Sequence, residues 1–296
     1  MSAPEGRIVL IAGEGALPVE IARRLHERGT PPVVVTLRGD DGALAPWSEA
    51  VVHLRFPSLG RVVREARRRG AERLIMAGHI AKRTIYLLPA LFDPLTRSVL
   101  SATPRDDHAL LGSIVEAFER EGIAVLPYWQ ILPEFLAPEG RLGSRAPTEA
   151  ELQDVRYGAE VLSVTLPCSF GQAIVVADRA VVAVEAMEGT DAMIGRCGAL
   201  SGRGVVVKMM RSDQDLRYDL PTVGPGTIDS MRCAGLTCLA VEAGRTLVLE
   251  PERTFESADA CGIAVWGMRS YPSSEICHWY LDEAKLLVVL QNVKAT

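Results

Sequence analysis

Three acidic stretches in the second half of the chain carry residues whose types and spacing suit chemistry on an anionic substrate. The first is Glu185-Ala186-Met187-Glu188-Gly189-Thr190-Asp191-Ala192-Met193. The second follows Lys208 and reads Asp213-Gln214-Asp215-Leu216-Arg217-Tyr218-Asp219-Leu220-Pro221-Thr222-Val223-Gly224; the third is Glu242-Ala243-Gly244, read as a hairpin turn carrying a carboxylate. Thr190 is placed to cap a helix that opens at Asp191, which would present backbone N–H groups between Glu188 and Asp191. Pro221 holds Leu220 extended, and if Asp215 to Asp219 is extended as well, then Asp215, Arg217 and Asp219 share one face. Any one stretch alone reads equally as a capped helix or a solvated loop. Together they suggest a site. Bare carboxylates suit a neutral or basic substrate but repel a diphosphate, because like charges about 4 Å apart cost about 4 kcal/mol at an effective dielectric of about 20. A divalent cation bridging Asp219, Glu188 and Asp191 to phosphate oxygens removes that conflict, while Lys208 or Arg217 holds the remaining charge. Ligands that are all oxygen fit Mg²⁺ or Mn²⁺ and not Zn²⁺.

The elements that must position these residues fall into two halves. In the first, the short apolar runs Arg7–Ala12, Pro31–Leu37, Ala50–Phe56, Arg73–Ala77 and Ile123–Pro127 alternate with helical spacing at Glu20–Arg28, Leu59–Arg69 and Asp106–Glu121. Such alternation predicts an α/β fold with a parallel sheet covered on both faces, so residues 1–128 read as a Rossmann-like domain. Ligands of such sheets sit beyond the carboxyl ends of the strands, which points to Gly13-Glu14-Gly15-Ala16-Leu17-Pro18 and to Gly78-His79. Gly13 and Gly15 would let backbone approach an anion at a helix N-terminus, although Pro18 breaks the dinucleotide fingerprint and a plain tight turn explains the glycines nearly as well. Residues 129–147, rich in Pro, Gly and Arg, read as a linker. The capping box Thr148-x-x-Glu151 then opens a helix to about Ser163, and Val-rich strands and short helices over 148–268 predict a smaller α+β domain. Residues 269–296 form a tail to which no role is assigned.

Composition narrows the partners. Over 296 residues, 48% hydrophobic and 23% charged content is that of a globular chain with a large core. Thirty-seven acids against 32 bases, and only 5% aromatics, exclude a general nucleic-acid binder. No run reaches the roughly 18 apolar residues of a membrane span, and the six cysteines form no C-x-x-C pair. The expected setting is therefore the cytoplasm, with thiols reduced and membrane contact, if any, made from the surface. The Arg67–Arg69 run reads as an exposed helix face, with anionic lipid headgroups as the alternative partner.

The chain resembles the LpxI-type UDP-2,3-diacylglucosamine pyrophosphatases of lipid A biosynthesis. The resemblance rests on LIAGEGALP (Leu10–Pro18), RDDHALL (Arg105–Leu111), GRLG (Gly140–Gly143), VEAMEGTDAMI (Val184–Ile194), VVKMMRSDQDLRYDLPTVG (Val206–Gly224) and LAVEAGRTLVL (Leu239–Leu249). It implies two domains, a UDP-linked diacylated glucosamine lipid as substrate, hydrolysis to UMP and the lipid monosaccharide phosphate, and Mg²⁺ dependence. It also implies that the critical Asp of the DLP motif is Asp219. Glu14 inside the glycine turn and His79 after Ala77-Gly78 depart from the family's usual pattern. The catalytic candidates are Asp219, Asp191 and Lys208. The candidate substrate contacts are Gly13, Gly15, Asp107, Thr190, Gln214, Arg217, Thr222, Gly224, Glu242 and Gly244. Met187, Met193, Met209 and Met210 are candidate walls for the acyl chains. The expected location is the cytoplasm, with peripheral contact at the cytoplasmic face of the inner membrane and a homodimer among the options this reading admits.

Two other classes of function stay open at this level. Gly13–Pro18 with Arg38 as a 2′-phosphate reader would suit an NADP-dependent Rossmann oxidoreductase, but that reading leaves the acidic stretches unused. A nucleotide-sugar sensor would bind the same substrate without turnover.

Overall fold

The computed structural model describes residues 6–37, 42–79, 92–102, 107–169, 171–211 and 214–269, and for Asp107 and His108 the backbone alone. Arg38, Asp106, Asp213, the side chain of Asp107 and the tail beyond Arg269 therefore lie outside the described residues. The chain divides into two compact units. One takes the residues up to Phe135 together with a returning segment, Gln214–Leu220; the other takes the rest from Leu136 onward. The proposed linker, residues 129–147, is more structured than its composition suggests. It contains the 3-10 turn Pro133–Phe135 and a short strand at Gly140–Arg141, and it buries Ile131, Leu132, Phe135 and Ala137.

In the first unit, strands β1 (Ile8–Ala12), β2 (Val33–Thr36), β3 (Ala50–His53), β4 (Arg73–Ala77) and β5 (Ala124–Val125) form a sheet in the order β3-β2-β1-β4-β5. Every pairing in it is parallel, as anticipated from the apolar runs, and the order is that of a Rossmann half-sheet extended by further strands. Val9, Leu10, Val34, Leu74 and Ile75 are completely buried because helices cover both faces. These are α1 (Leu17–Glu27), α2 (Leu59–Arg68), α3 (Pro94–Ala102) and α4 (Asp107–Arg120). Helix α2 starts where the Ser58 hydroxyl accepts the Arg61 N–H at 3.3 Å, and it buries Val62, Val63 and Ala66. Its basic run is ion-paired: Arg67 with Glu121 at 2.7 Å, Arg68 with Glu65 at 2.8 Å, and Arg69 with Glu49 at 3.4 Å. Much of the positive charge weighed for lipid headgroups is thus already matched.

The second unit is built on β6 (Gly140–Arg141), β7 (Ala173–Ala177), β8 (Ala180–Val184), β9 (Val205–Lys208), β11 (Cys238–Glu242) and β13 (Ala264–Met268), in the order β6-β13-β11-β9-β7-β8. Its centre, β9-β11-β13, is parallel, and antiparallel strands finish both sides. A separate parallel pair joins β10 (Thr222–Val223) to β12 (Leu247–Val248). Four helices complete the unit: α5 (Glu149–Thr165), α6 (Thr190–Cys197), α7 (Pro225–Ala234) and α8 (Pro251–Ala260). The capping box of α5 forms as read, with Thr148 Oγ1 accepting the Glu151 N–H and Glu151 accepting the Thr148 N–H. The β7–β8 hairpin turns on Asp178 and Arg179, both in the left-handed region at φ 53° and 57°. Neither is glycine, and the Asp154 carboxylate offsets the strain by accepting both their N–H groups, at 3.1 and 2.6 Å. The five cysteines among the described residues are free thiols.

The third acidic stretch is not a hairpin. Strand β11 lies between β9 and β13, while β12 leaves to pair with β10, so Glu242-Ala243-Gly244 turns between two different sheets.

Candidate functional site

Beyond the carboxyl ends of β1, β2 and β4 the first unit encloses a cavity of about 330 Å³. Ile11, Val35 and Met76 line it from the strands, Val62, Leu110 and Ile114 from the helices, and Tyr218 and Asp219 from the returning segment. The wall is mostly hydrocarbon, with the Asp219 carboxylate and His79 among its few polar groups. This is the place where parallel sheets bind ligands.

The segment that delivers Asp219 is turned, where an extended stretch was expected. The Arg217 N–H donates to Asp215 Oδ1 at 2.9 Å, so Asp215, Arg217 and Asp219 do not run along one strand face. The Arg217 guanidinium donates to Asp215 through Nε and Nη2, at 2.9 and 2.7 Å, and to Glu119 through Nη1 at 2.5 Å. Those bonds raise its pKa further and commit its charge to two carboxylates, so it is not the spare cation for a phosphate that its position in sequence suggested. Tyr218 is buried in the core with Val115 and Phe118, and Gln214 Nε2 donates to Asp219 Oδ2. Leu220 N–H donates to the Tyr128 hydroxyl at 2.9 Å. Sequence reasoning missed Tyr128, although its place just after a strand end was a usable signal.

The glycine turn after β1 is spent on the fold. Gly13 N–H donates to Ala77 O at 2.8 Å and Glu14 N–H to His79 O at 2.7 Å, while His79 N–H returns to Glu14 O at 2.9 Å. A Cβ on Gly13 would lie 2.6 Å from the His79 carbonyl oxygen, so glycine is required by the close approach of two backbones. Pro18, near the start of α1, removes a further N–H. Gly15 contributes a left-handed turn residue at φ 103°. The Gly13 and Glu14 amides are therefore already donated to carbonyls.

In the second unit the remaining candidates gather around Lys208. Its side chain is buried, and Nζ donates to Thr190 Oγ1 at 3.0 Å and to Thr222 O at 2.9 Å. The Thr190 hydroxyl in turn donates to Glu185 Oε1 at 2.7 Å, and Glu185 Oε2 accepts the Gln172 N–H at 3.0 Å. Burial pushes the Lys208 pKa down, against the pull of Glu185 and Asp191, which favour the ammonium. Thr190 is thus not the helix cap: Gly189, at φ 86°, precedes α6, and the threonine hydroxyl bridges lysine to glutamate instead. Asp191 stands exposed in the first turn of α6, and Glu188 pairs with Arg196 at 2.8 Å. Glu185 belongs to the first acidic stretch but was not singled out, because sequence alone does not say which of its carboxylates points inward.

Other candidates have structural duties. Glu242 is 1% exposed, its Oε2 accepts the Met210 N–H at 2.9 Å, and Arg245 bridges its Oε1 to the Arg211 carbonyl. Gly244, at φ 70°, donates its N–H to Ala137 O at 2.8 Å, and Gly224 precedes α7 with extended backbone. Met193 and Met209 are core residues, Met210 is buried, and Met187 is 86% exposed. The apolar wall beside Asp219 is in the other unit and uses Met76.

The expected metal ligands also divide. Glu188 and Asp191 belong to the second unit and Asp219 to the first. Among the described residues no group of three or more His, Cys, Asp or Glu side chains is placed to hold a metal ion, and Glu188 is engaged by Arg196. Within neither unit do the described carboxylates form the three-ligand set, Asp219, Glu188 and Asp191, that was read from the sequence.

Comparison with known proteins follows the same division. Residues 7–135 match the family model described as the LpxI N-terminal domain, and residues 138–266 match the LpxI C-terminal domain. A curated relative, the UDP-2,3-diacylglucosamine pyrophosphatase LpxI of Caulobacter vibrioides, is 34% identical over 274 residues, covering 88% of this chain and 97% of its own. A solved structure of CobK precorrin-6A reductase is similar at 14% identity over 90% of this chain and 88% of its own, with a TM-score of 0.31.

Proposed function

The chain belongs to the LpxI family, and on that premise we propose that it hydrolyses UDP-2,3-diacylglucosamine to UMP and 2,3-diacylglucosamine 1-phosphate in lipid A biosynthesis. One observation carries the reading beyond kinship: the carboxylate of the DLP motif, Asp219, opens onto a mostly apolar cavity of about 330 Å³. A substrate that is fatty on one side of its sugar and charged on the other needs that pairing. Each methylene taken from water contributes about 0.8 kcal/mol, so the acyl chains supply binding energy. In this reading Asp219 accepts the proton of the water that attacks phosphorus, as a general base does. Lys208, whose Nζ donates to Thr190 and Thr222, is retained as the candidate cation of the second unit. No step is routed through a metal, since Glu188, Asp191 and Asp219 do not form one three-ligand group among the described residues; the Mg²⁺ or Mn²⁺ requirement read from sequence is what the EDTA arm of the test decides. Surface contact with the lipid source at the cytoplasmic face of the inner membrane is part of this proposal; among the described residues no helix is long and apolar enough to cross a membrane.

The test is UMP release from UDP-2,3-diacylglucosamine by the full chain, run with and without EDTA. Wild type should release UMP, Asp219→Ala should lose at least a thousandfold in kcat, and UDP-glucosamine lacking acyl chains should be a far poorer substrate. Absence of UMP would overturn the activity, and equal turnover of the deacylated compound would overturn the acyl role of the cavity. A rate abolished by EDTA and restored by Mg²⁺ would establish a metal requirement, with Asp219 and the substrate's own phosphate oxygens as the first candidate ligands.

A further inference from the structure

Asp219 sits between two anchors. On its N-terminal side the Tyr218 ring is buried among core residues and Arg217 is tied to Asp215 and Glu119. On its C-terminal side stands Leu220, and then Pro221, which has no N–H to donate and keeps Leu220 out of the helical region. The C-terminal anchor is a side chain. Tyr128, in the 3-10 turn Tyr128–Gln130 that follows β5, is 3% exposed, and its Oη accepts the Leu220 N–H at 2.9 Å in a buried setting. A general base must be held within a fraction of an ångström of its working position, and groups that lock its backbone from behind are part of how that is done.

We propose that Tyr128 is a positioning residue, whose hydroxyl fixes the Leu220 amide and thereby the Asp219 carboxylate at the mouth of the cavity. This rests on the reading of Asp219 as the base. The phenol is a poor candidate for proton transfer: burial, with the nearby Asp219 charge, pushes its pKa well above the ordinary phenol range, against the opposing effect of the Leu220 N–H. Tyr128 therefore stays a neutral hydroxyl wherever the enzyme works, and its contribution is geometric.

Tyr128→Phe keeps the ring and removes the hydroxyl, and with it the acceptor of the Leu220 N–H. In the full chain, kcat should fall about tenfold while KM stays within about twofold, and the pH–rate profile should keep its shape. Combined with Asp219→Ala, the substitution should cause no further loss, because there is no base left to position. Amide hydrogen exchange at Leu220 should quicken at least tenfold, with β1 and β4 unchanged. An unaltered kcat, a further tenfold loss in the Asp219→Ala background, or unaltered Leu220 exchange would overturn the proposal. If wild type releases no UMP, the reading of Asp219 as a base fails and positioning for catalysis fails with it. Leu220 exchange then reports, separately, whether Tyr128 holds the segment.

Discussion

Two charged residues of opposite sign show how differently a side chain is prepared for chemistry. Asp219 is left at a cavity wall with its amide neighbours pinned, so its carboxylate is both held and accessible. Lys208 is buried and surrounded by oxygen: Thr190, Thr222, and beyond them the charges of Glu185 and Asp191. Replacing the ammonium alone leaves the Thr222 carbonyl and the charge of Glu185 without their cation, which costs stability. Lys208→Met should accordingly unfold at a somewhat lower denaturant midpoint than wild type, while UMP release falls at least a hundredfold. A large loss of stability with normal turnover would reassign Lys208 to the core. Residue types were legible here from the sequence, but roles were not. Arg217 and Glu242 looked as available as Lys208 in the sequence. The fold commits Arg217 to Asp215 and Glu119, and Glu242 to Met210 and Arg245.

At the scale of elements, the start of α5 is the most tightly tied terminus among the described helices. Glu151 closes the capping box and also accepts from Arg145, at 2.6 and 3.0 Å, and from the Thr237 hydroxyl at 2.6 Å. Burial raises its pKa, but the hydrogen bonds from Arg145, Thr237 and the Thr148 N–H outweigh that and bring it to about 2, from an ordinary 4.5. A carboxylate whose pKa is lower in the folded state stabilises the protein above its unfolded pKa and loses that contribution as pH falls toward the folded value. The loss should therefore run from about pH 4.5 down to about pH 2, and amounts to about 3 kcal/mol in all. Glu151→Gln should destabilise the protein by a comparable amount at pH 7 and flatten that stretch of the stability–pH curve, as urea titrations at several pH values would reveal. An unchanged acid limb would refute the assignment. The capping box was readable because its signal is local, two residue types three apart. The turn at Asp215–Tyr218 was not, because a short polar run with one proline fits an extended strand as well as an Asx turn, and Glu119 and the core around Tyr218 decide between them.

For the whole molecule, the chain order is not the unit order: Gln214–Leu220 lies deep in the second half of the sequence yet belongs to the first unit. A fragment beginning at Leu136 should therefore fold around the sheet of the second unit but release no UMP, because Tyr128, Glu119 and the cavity wall that receive Asp219 are missing. Full activity from such a fragment would show that the second unit builds its site alone. By itself the sequence determined the α/β class, the parallel sheet of the first half, the helix start at Thr148, and the motifs that carry the family resemblance. All of these depend on periodicity or on residues a few positions apart. Only the tertiary structure decided that the Gly13 turn is filled by the backbone of Gly78 and His79, that β11 and β12 part to different sheets, and that the apolar chamber lies beside Asp219, away from the methionines of the second half. The reason is that each of these depends on groups tens of residues apart competing for the same hydrogen bonds and the same space. Local propensity carries no record of which of them wins.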